Sequence, residues 1–371
     1  MKKNIYITAV FLVSLAIFSC KKTGSGSGKN VNAAAPTVST NDATNLNGTT
    51  ATIGGNITND GGSIVTEAGI CYGDASGVDT SKNKKATYPI SGSFSIGLTG
   101  LTYYTTYYYK AYAINDKGLT YGEEKSFTPV PPYSSASAVA AANLKAYWAF
   151  ENGYADSVSS TIGTANHPTA ISFVTGIRGQ AAEIASPGYI NSNIGSTVAG
   201  LQDFTYVLWI KQPASLASGP TTYFPFSLNA AGFSWENTKF FMLFNNADNA
   251  TNSYGKIALQ DQWFDPGQVW PKMLDGSWHQ MAISFNGSSG ALRVYVDGLL
   301  LSQSSSTTFN AQANFGSVNS FTLGGPDDYA NTANGWMNSL SGDLDEFKIY
   351  NKELTADEVI SIYGLQAHGS W

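Results

Sequence analysis

Short segments in which apolar and polar residues alternate run along most of the chain, and this pattern is typical of β-strands. The clearest segment is Tyr107 to Ala113, where every second residue lies on the same face of the predicted strand. Turn-forming clusters such as Asn59-Asp60-Gly61-Gly62 separate these segments, and helix signals are absent from this region. Residues 36–129 are therefore predicted to form an antiparallel β-sandwich.

A second and longer series of predicted strands occupies residues 144–371. Asp297-Gly298 stands between two apolar runs and is a strong signal for a two-residue hairpin. Thr355-Ala-Asp-Glu358 matches a capping box and predicts one short helix near the end of the chain. The predicted fold class is all-β, with two tandem β-sandwiches and one short C-terminal helix. The predicted strands of this region are 146–150, 204–210, 278–285, 291–296, 321–323 and 344–350.

The first 20 residues have the pattern of a bacterial export signal. Two lysines precede an apolar run from Ile5 to Phe18, which is too short to cross a bilayer comfortably because about 20 residues are needed. Ile17-Phe18-Ser19-Cys20 resembles the lipobox of bacterial lipoproteins, which implies a signal peptide over residues 1–19 and a lipid on Cys20. The predicted location is the outer membrane, with the protein exposed at the cell surface, and an orientation toward the periplasm stays open. The alternative is a soluble secreted protein that is cleaved nearby.

Two stretches rich in small residues predict connections rather than packed structure. In residues 20–35, Gly and Ser alternate over 24–28 and small residues occupy the end, and we expect a flexible tether between the anchor and the first sandwich. Residues 130–143 contain two prolines followed by Ser and Ala, and we expect a linker between the two sandwiches.

The composition limits the classes of partner. Charged residues make up 12% of the chain, whereas ordinary soluble domains have about 25%. The net charge is -6 and no basic cluster follows the leader, which disfavours nucleic acid and anionic lipid as partners. Neutral polar side chains must therefore cover the surface, and they suit an uncharged ligand. The chain has two cysteines, and assigning Cys20 to the lipid leaves no pair for an intramolecular disulfide.

Three segments of the first sandwich resemble fibronectin type III-like domains of exported bacterial proteins. The resemblance implies an immunoglobulin-like or fibronectin III-like fold and the role of a spacer or interaction module. It also implies that Tyr107 is a corner tyrosine, whose hydroxyl bonds to nearby backbone. The segments are Leu98 to Leu101, Thr105 to Ala113 and Gly122 to Phe127.

An ordered series of motifs in residues 144–366 resembles laminin G-like domains of the concanavalin A-like lectin/glucanase superfamily. The resemblance implies a jelly roll of two curved antiparallel sheets, a fold that commonly serves in glycan or protein recognition. The motifs are Leu144 to Gly153, Gly176 to Ala181, Phe204 to Trp209, Ser277 to Ala282, Leu292 to Gly298, Gly342 to Asn351 and Leu354 to Glu358.

Asp345 alternates with Phe347 and Ile349, so a regular strand would turn its carboxylate toward an apolar face. A lone buried charge is costly, and it needs either backbone hydrogen-bond donors or a hard cation such as calcium. The laminin G-like resemblance implies a structural calcium site formed by Asp156, Asp345 and backbone carbonyls near Gly153. The loop departs from the common Asp-Ser-Ser-Gly-Asn-Gly pattern, since it continues from Asp156 as Ser-Val-Ser-Ser. Hydrogen bonding and calcium binding both stay open.

Many aromatic residues occur between Ala217 and Asp275 in a polar, turn-rich context, where loop composition would predict few. Exposed rings in loops usually mark a contact surface, and a sugar packs its apolar face against such a ring. The alternative is that these rings seal an edge of the sandwich. Trp148, Trp209 and Trp278 lie in strand motifs and are predicted to be core residues. The predicted ligand-binding residues are Trp235, Trp263, Trp270, Trp336, Tyr223 and Tyr254.

The sequence does not predict catalysis. Laminarinase-like relatives on this fold use a Glu-x-Asp-x-x-Glu strand, and the nearest segment here, Asp343 to Lys348, lacks both terminal glutamates. Retaining glycosidases need two carboxyl groups about 5 Å apart, and no other stretch supplies a convincing pair. The predicted function is non-catalytic binding of a polysaccharide or oligosaccharide by an envelope-anchored lipoprotein. The alternatives are an adhesion or structural protein that binds a protein partner in the envelope, and a glycoside hydrolase.

Overall fold

The computed structural model describes residues 32–82, 85–87, 92–198, 200–213, 222–230, 238–245, 254–259, 262–264, 273, 275–304, 315, 318–326 and 337–371. The chain divides by its internal contacts into two compact units. The first comprises residues 1–42, 53–96 and 108–125, and the second comprises residues 43–52, 97–107 and 126–371. In the described part of the chain, no helix has the length and apolar character needed to cross a membrane.

Nine described strands lie between residues 37 and 127, and they form two sheets. Their bounds are β1 Thr37–Thr40, β2 Thr44–Asn47, β3 Thr50–Asn59, β4 Glu67–Gly73, β5 Lys85–Thr87, β6 Gly92–Leu98, β7 Tyr107–Asn115, β8 Gly118–Tyr121 and β9 Lys125–Phe127. One sheet has the order β1-β3-β2, with β6 paired to β3, and the other has the order β5-β4-β7-β8, with β9 paired to β7. The β-sandwich predicted for this part of the chain is confirmed.

Tyr107 makes the backbone contact expected of a corner tyrosine. Its hydroxyl accepts a hydrogen bond from the backbone N–H of Thr102 at 3.1 Å. The ring of Tyr107 stacks on Phe127 with 5.7 Å between ring centroids. This bond agrees with the fibronectin type III-like resemblance, although the identity of the module stays a prediction.

Sixteen described strands lie between residues 144 and 350, and they form two sheets of eight strands each. Their bounds are β10 Leu144–Trp148, β11 Thr164–Asn166, β12 Ile171–Thr175, β13 Gln180–Ile184, β14 Tyr189–Ser192, β15 Phe204–Lys211, β16 Thr222–Ala230, β17 Thr238–Asn245, β18 Tyr254–Leu259, β19 Gln262–Phe264, β20 Trp278–Asn286, β21 Ala291–Val296, β22 Leu299–Gln303, β23 Val318–Leu323, β24 Met337–Ser339 and β25 Gly342–Tyr350. Two described α-helices accompany them, α1 Gly195–Val198 and α2 Ala356–Ala367.

The first large sheet has the order β12-β13-β25-β15-β20-β21-β22, with β10 paired to β25. The second large sheet has the order β11-β14-β23-β16-β17-β18-β19, with β24 paired in parallel to β16. The hairpin between β21 and β22 turns at Asp297 and Gly298, both with positive φ, as their sequence predicts. The predicted all-β class, with two sandwiches, is confirmed.

An aromatic layer forms the core of the second unit. Alternation along β15 turns Phe204, Tyr206 and Leu208 to the same face, where all three are buried. The ring of Tyr206 stacks on Phe226 of the second large sheet at 5.2 Å and meets Phe347 of β25 edge-on at 6.0 Å. Rings from both large sheets therefore fill the space between them.

Tyr206 carries a polar group in this apolar layer. It is fully buried, and its hydroxyl has no hydrogen-bond partner among the described residues. Such a hydroxyl costs about 1–3 kcal/mol. We expect Tyr206→Phe to raise the free energy of unfolding by about 1 kcal/mol in urea denaturation, because the ring stays and the unpaired hydroxyl goes. Tyr147→Phe is the matched control and should destabilise, since the hydroxyl of Tyr147 donates to Glu346. Equal effects of the two changes would contradict this account.

Helix α2 covers part of the outward face of the first large sheet. Its capping box is confirmed: the N–H of Glu358 donates to Thr355 Oγ1 at 3.2 Å, and the N–H of Thr355 donates to Glu358 Oε2 at 2.9 Å. Val359 and Ile362 of the helix pack in one buried cluster with Val207 of β15. The predicted terminal helix is therefore present and docked.

A β-bulge in β25 changes the prediction for Asp345. Glu346 has a positive φ of 50°, and the register of β25 against β15 shifts beside it. Asp345 pairs with Trp209 and faces outward, whereas Phe347 and Ile349 lie in the core. The prediction that Asp345 shares a face with these two residues is wrong, because the bulge inserts one residue into the alternation.

The aromatic-rich stretch from 217 to 275 contains four strands of the second large sheet, β16 to β19. Phe226, Phe240 and Phe244 from these strands point into the core, and Phe224 and Phe241 are buried in a separate cluster. The prediction of a turn-rich region is therefore wrong for these strands. Their aromatic density reflects strands that bury rings on both faces.

Candidate functional site

The structure describes some of the predicted ligand-binding residues and leaves others outside its described part. Trp235, Trp270 and Trp336 lie outside the described residues. Tyr254 and Trp263 lie on β18 and β19, where only the backbone is described. These five positions stay predictions.

Tyr223 lies inside the sandwich. It is 7% exposed and belongs to the buried cluster between the two large sheets. This placement matches the alternative in which rings of this stretch serve packing. Tyr223 therefore presents no open ring face to a ligand.

The three tryptophans predicted as core residues have three different environments. Trp148 is fully buried in the core, as predicted. Trp209 is 3% exposed but lies under α2, where its indole N–H donates to Gln366 at 2.9 Å. Trp278 is only partly buried, and the ammonium group of Lys211 lies 5.9 Å from its ring centroid. The core prediction is therefore wrong for Trp278, which is the first residue of β20 and has a charged neighbour.

One of the predicted positions lies at one end of the second large sheet. Thr222 begins β16 and pairs with Asn245 of β17 and with Met337 of β24. Asn245 in turn pairs with Tyr254, so the backbone of Tyr254 lies at the Thr222 end.

One other position lies at the opposite end. Trp263 follows Gln262, which pairs with Leu259 at the turn between β18 and β19. Strand β16 has nine residues, so the two ends are roughly 26 Å apart along the sheet. A ligand that contacts both ends has to span this distance.

A row of paired residues on neighbouring strands runs from Trp263 across the second large sheet, on its outward face. Trp263 pairs with Ala258, Ala258 with Phe241, and Phe241 with Ser227. Ser227 pairs with Thr322, and their hydroxyl oxygens are 2.6 Å apart. The row combines hydroxyl groups with apolar side chains, a combination that suits sugars. Phe241 and Thr322 are 2% and 0% exposed, so this part of the row lies below the surface.

Asp156 is fully buried and accepts four hydrogen bonds. Its Oδ1 atom accepts from the backbone N–H groups of Tyr147 at 2.6 Å and Val158 at 3.0 Å. Its Oδ2 atom accepts from the N–H of Ser159 at 2.9 Å and from the hydroxyl of the same residue. The carboxylate therefore joins β10 to the loop that follows it.

Asp345 binds a glycine turn. Its Oδ2 atom accepts from the N–H groups of Ile177 at 3.0 Å and Arg178 at 3.2 Å, and its Oδ1 atom accepts from the N–H of Glu346 at 2.8 Å. A Cβ atom at Gly176 would collide with this carboxylate. Burial raises the pKa of Asp345 to about 8, against the lowering effect of its N–H donors.

Glu151 approaches the same turn from another side. It accepts from the N–H of Gln180 at 3.2 Å, and a Cβ atom at Gly179 would collide with it. Sequence reasoning missed this role of Glu151. The Gly-x-x-Gly spacing of the turn was the available signal, since each glycine lets a carboxylate reach the backbone.

The residues proposed for calcium do not fit the ion well. Backbone and hydroxyl donors fill the lone-pair positions of Asp156, and three N–H groups face Asp345. No described bond joins Gly153 to either carboxylate. Among the described residues, no group of three or more His, Cys, Asp or Glu side chains could hold a metal ion. The observed contacts match the hydrogen-bonding alternative, and calcium binding stays a prediction from the resemblance.

Glu346 is the centre of a buried polar network on the outward face of the first large sheet. Its Oε2 atom accepts from Lys348 Nζ at 2.8 Å and from Gln366 Nε2 at 2.8 Å, and its Oε1 atom accepts from the hydroxyl of Tyr147. The guanidinium of Arg178 lies 3.8 Å from Oε1. Burial lowers the pKa of Lys348, and the Glu346 carboxylate opposes this effect. The network joins β10 and β25 to α2.

His279 lies between two carboxylates near the start of β20 in the first large sheet. Its Nδ1 atom is 2.8 Å from Asp297 and its Nε2 atom is 3.4 Å from Asp275. The hydrogen bond to Asp297 raises the pKa of His279 above its usual value, although burial opposes the increase. Protonation of His279 therefore favours the folded state.

This shift predicts a pH dependence of stability. A raised folded-state pKa gives a contribution that is complete below the unfolded value of about 6.5 and is lost as pH rises through the folded value. We expect the free energy of unfolding to fall over this window above about pH 6.5. His279→Gln should flatten this part of the profile. Urea denaturation of both proteins across the pH range measures the change, and an unaltered slope in His279→Gln would refute the assignment.

A comparison with protein families agrees with the fold of the second unit. Residues 186–360 match a laminin G-type family model of the concanavalin A-like lectin/glucanases superfamily. This part of the chain is a concanavalin A-like domain. The matched residues run from before β14 to within α2, so both large sheets of the concanavalin A-like domain contribute to the match.

Several solved structures are similar in fold. Domain 4 of AbnA, an extracellular GH43 arabinanase from Geobacillus stearothermophilus solved with arabinotriose, is 22% identical, with 60% of this chain and 98% of that chain covered and a TM-score of 0.44. A mutant sialidase of Trypanosoma rangeli is 12% identical, with 70% and 42% covered and a TM-score of 0.46. The binding domain of botulinum neurotoxin serotype D is 14% identical, with 62% and 53% covered and a TM-score of 0.43. These likenesses are too distant to indicate a function. No curated protein sequence matches the chain.

Proposed function

We propose that the chain is an outer membrane lipoprotein whose concanavalin A-like domain binds a neutral polysaccharide or oligosaccharide without cleaving it. The superfamily of the matched segment contains both lectins and glucanases. Binding and hydrolysis are therefore the two functions to separate, and the carboxyl groups of β25 bear on the choice between them.

The carboxylates of β25 carry the proposal. Asp343 pairs with Lys211 at 3.3 Å, and Asp345 accepts three backbone N–H groups. Glu346 bonds to Lys348 and two further side chains. A glycosidase needs one carboxyl group that protonates the leaving oxygen and a second that attacks or activates water. The three carboxyl groups of β25 instead hold a lysine, a turn and a helix, which supports binding over hydrolysis.

The composition supports a neutral glycan as the ligand. Charged residues are only 12% of the chain, so most of the surface offers hydroxyl and amide groups, which exchange hydrogen bonds with sugar hydroxyls. The aromatic positions Trp235, Trp263, Trp270, Trp336 and Tyr254 are the proposed contact residues, and Cys20 is the proposed lipid attachment site.

Affinity electrophoresis of the full mature chain tests the proposal. We expect retardation in gels that contain at least one neutral polysaccharide, such as arabinan, xylan, mannan or a β-glucan. Bovine serum albumin is the control for nonspecific retardation. If no glycan retards the chain and an envelope protein is captured instead, the adhesion alternative replaces the proposal.

A further inference from the structure

The loop of residues 153–163 follows β10 and closes on its own backbone. Ala155 and Ile162 form a β-bridge. The N–H of Asp156 donates to the carbonyl of Thr161 at 2.8 Å, and the N–H of Gly163 donates to the carbonyl of Tyr154 at 2.8 Å. The loop is thus a compact hairpin, and the resemblance assigns calcium to it.

The carboxylate of Asp156 lies inside this hairpin. A carboxylate has about four lone-pair positions, and Asp156 uses its two oxygen atoms to accept from three backbone N–H groups and one hydroxyl. Every donor directs a partial positive charge at the carboxylate. A calcium ion would have to displace these donors or bind beside them, and both options cost hydrogen bonds in a buried site.

The sequence of the loop supplies part of this donor set. Where the common pattern has Gly, the third residue after Asp156 is Ser159, whose hydroxyl donates to Asp156 and also lies 2.8 Å from Thr161 Oγ1. The departure from the common pattern therefore adds a donor at the position of the predicted ion.

The surroundings of Asp345 add positive charge. Three N–H groups face its carboxylate, and one of them belongs to Arg178, whose guanidinium lies beside Glu346. The ammonium group of Lys348 is bonded to Glu346 one residue further along β25. A divalent cation placed at Asp345 would lie near the cationic side chains of Arg178 and Lys348, both of which pair with the neighbouring Glu346.

We infer that hydrogen bonds to Asp156 take the place of a metal ion in this loop, so that the concanavalin A-like domain folds without calcium. The inference concerns metal dependence, and it does not require the proposed glycan function.

Thermal unfolding of the full mature chain tests this inference. The melting temperature of the wild-type protein is expected to stay within about 1 °C between excess EDTA and millimolar calcium, because a ligand that does not bind cannot shift it. Isothermal titration with calcium chloride should show no saturable binding. A rise of several degrees with calcium, or a saturable isotherm, would overturn the inference.

Variants of the loop distinguish stabilisation by hydrogen bonds to Asp156 from stabilisation by a bound calcium ion. Asp156→Asn turns an amide N–H₂ group toward N–H donors, and we expect a loss of roughly 5–10 °C with or without calcium. Ser159→Ala keeps the backbone and should lose less, and Asp203→Asn is the matched control, since its one N–H bond at 2.8 Å survives the change. If Asp156→Asn fails to fold, the calcium titration of the wild-type protein still decides. Destabilisation of Asp156→Asn only in the presence of calcium would overturn the inference.

Discussion

Glu346→Gln is expected to lower the free energy of unfolding of the concanavalin A-like domain by about 3–5 kcal/mol. Glu346 is 1% exposed, and Lys348, its ion-pair partner at 2.8 Å, is 4% exposed. The amide keeps the shape of the side chain but leaves the ammonium of Lys348 buried without its counter-ion. Breaking a buried pair from one side is costly because the remaining charge cannot reach water. Urea denaturation, followed by tryptophan fluorescence, measures the change.

Two comparison variants test whether the unpaired charge of Lys348 causes this loss of stability. Asp343→Asn is the same chemical change on the same strand, but its partner Lys211 is 38% exposed, so the loss should be about 1 kcal/mol or less. The double variant Glu346→Gln with Lys348→Met should recover a large part of the lost stability, because no lone buried charge remains. A double variant as unstable as Glu346→Gln would contradict the assignment of the cost to Lys348.

Joint replacement of Trp235 and Trp263 by alanine is expected to lower affinity for the retained polysaccharide by about 30-fold. Loss of buried aromatic contacts at a binding centre costs about 2 kcal/mol, which corresponds to this factor. Trp263 lies at the end of the second large sheet where β18 turns into β19, and Trp235 belongs to the sequence between β16 and β17. Isothermal titration with the polysaccharide measures the affinity.

The opposite end and the other sheet supply the controls. Tyr254→Ala changes a residue at the Thr222 end, roughly 26 Å away along β16, and should have little effect on the affinity for a short oligosaccharide. Trp278→Ala removes a partly exposed ring from the first large sheet and should leave the affinity unchanged. A loss at the Thr222 end alone would move the binding surface there, and no loss in any variant would remove the aromatic contact model.

Much of the fold could be predicted because alternation and turn residues are local signals. β21 matches its predicted bounds, and the Asp297-Gly298 hairpin and the Thr355 capping box were readable from a few residues each. The four strands β16 to β19 were missed, and in β16 and β17 the reason is that rings are buried on both faces, which hides the alternation that marks a half-exposed strand.

The site was harder to predict than the fold, since it depends on contacts between distant segments. The face of Asp345 was predicted incorrectly because a bulge at Glu346 leaves no mark in the hydrophobic pattern. One of the donors to Asp156 is the backbone N–H of Tyr147, nine residues earlier. A motif made of side chains cannot indicate such a backbone donor. Tyr223 was assigned to a ligand from its neighbours in sequence, whereas its strand turns it into the core.

The most direct test of the central claim measures binding and cleavage in one sample. The full mature chain is incubated for a long period with the polysaccharide that retards it, and both the bound fraction and the newly formed reducing ends are measured. The account predicts saturable binding with no increase in reducing ends over a protein-free sample. Reducing ends that accumulate in proportion to protein concentration would contradict it.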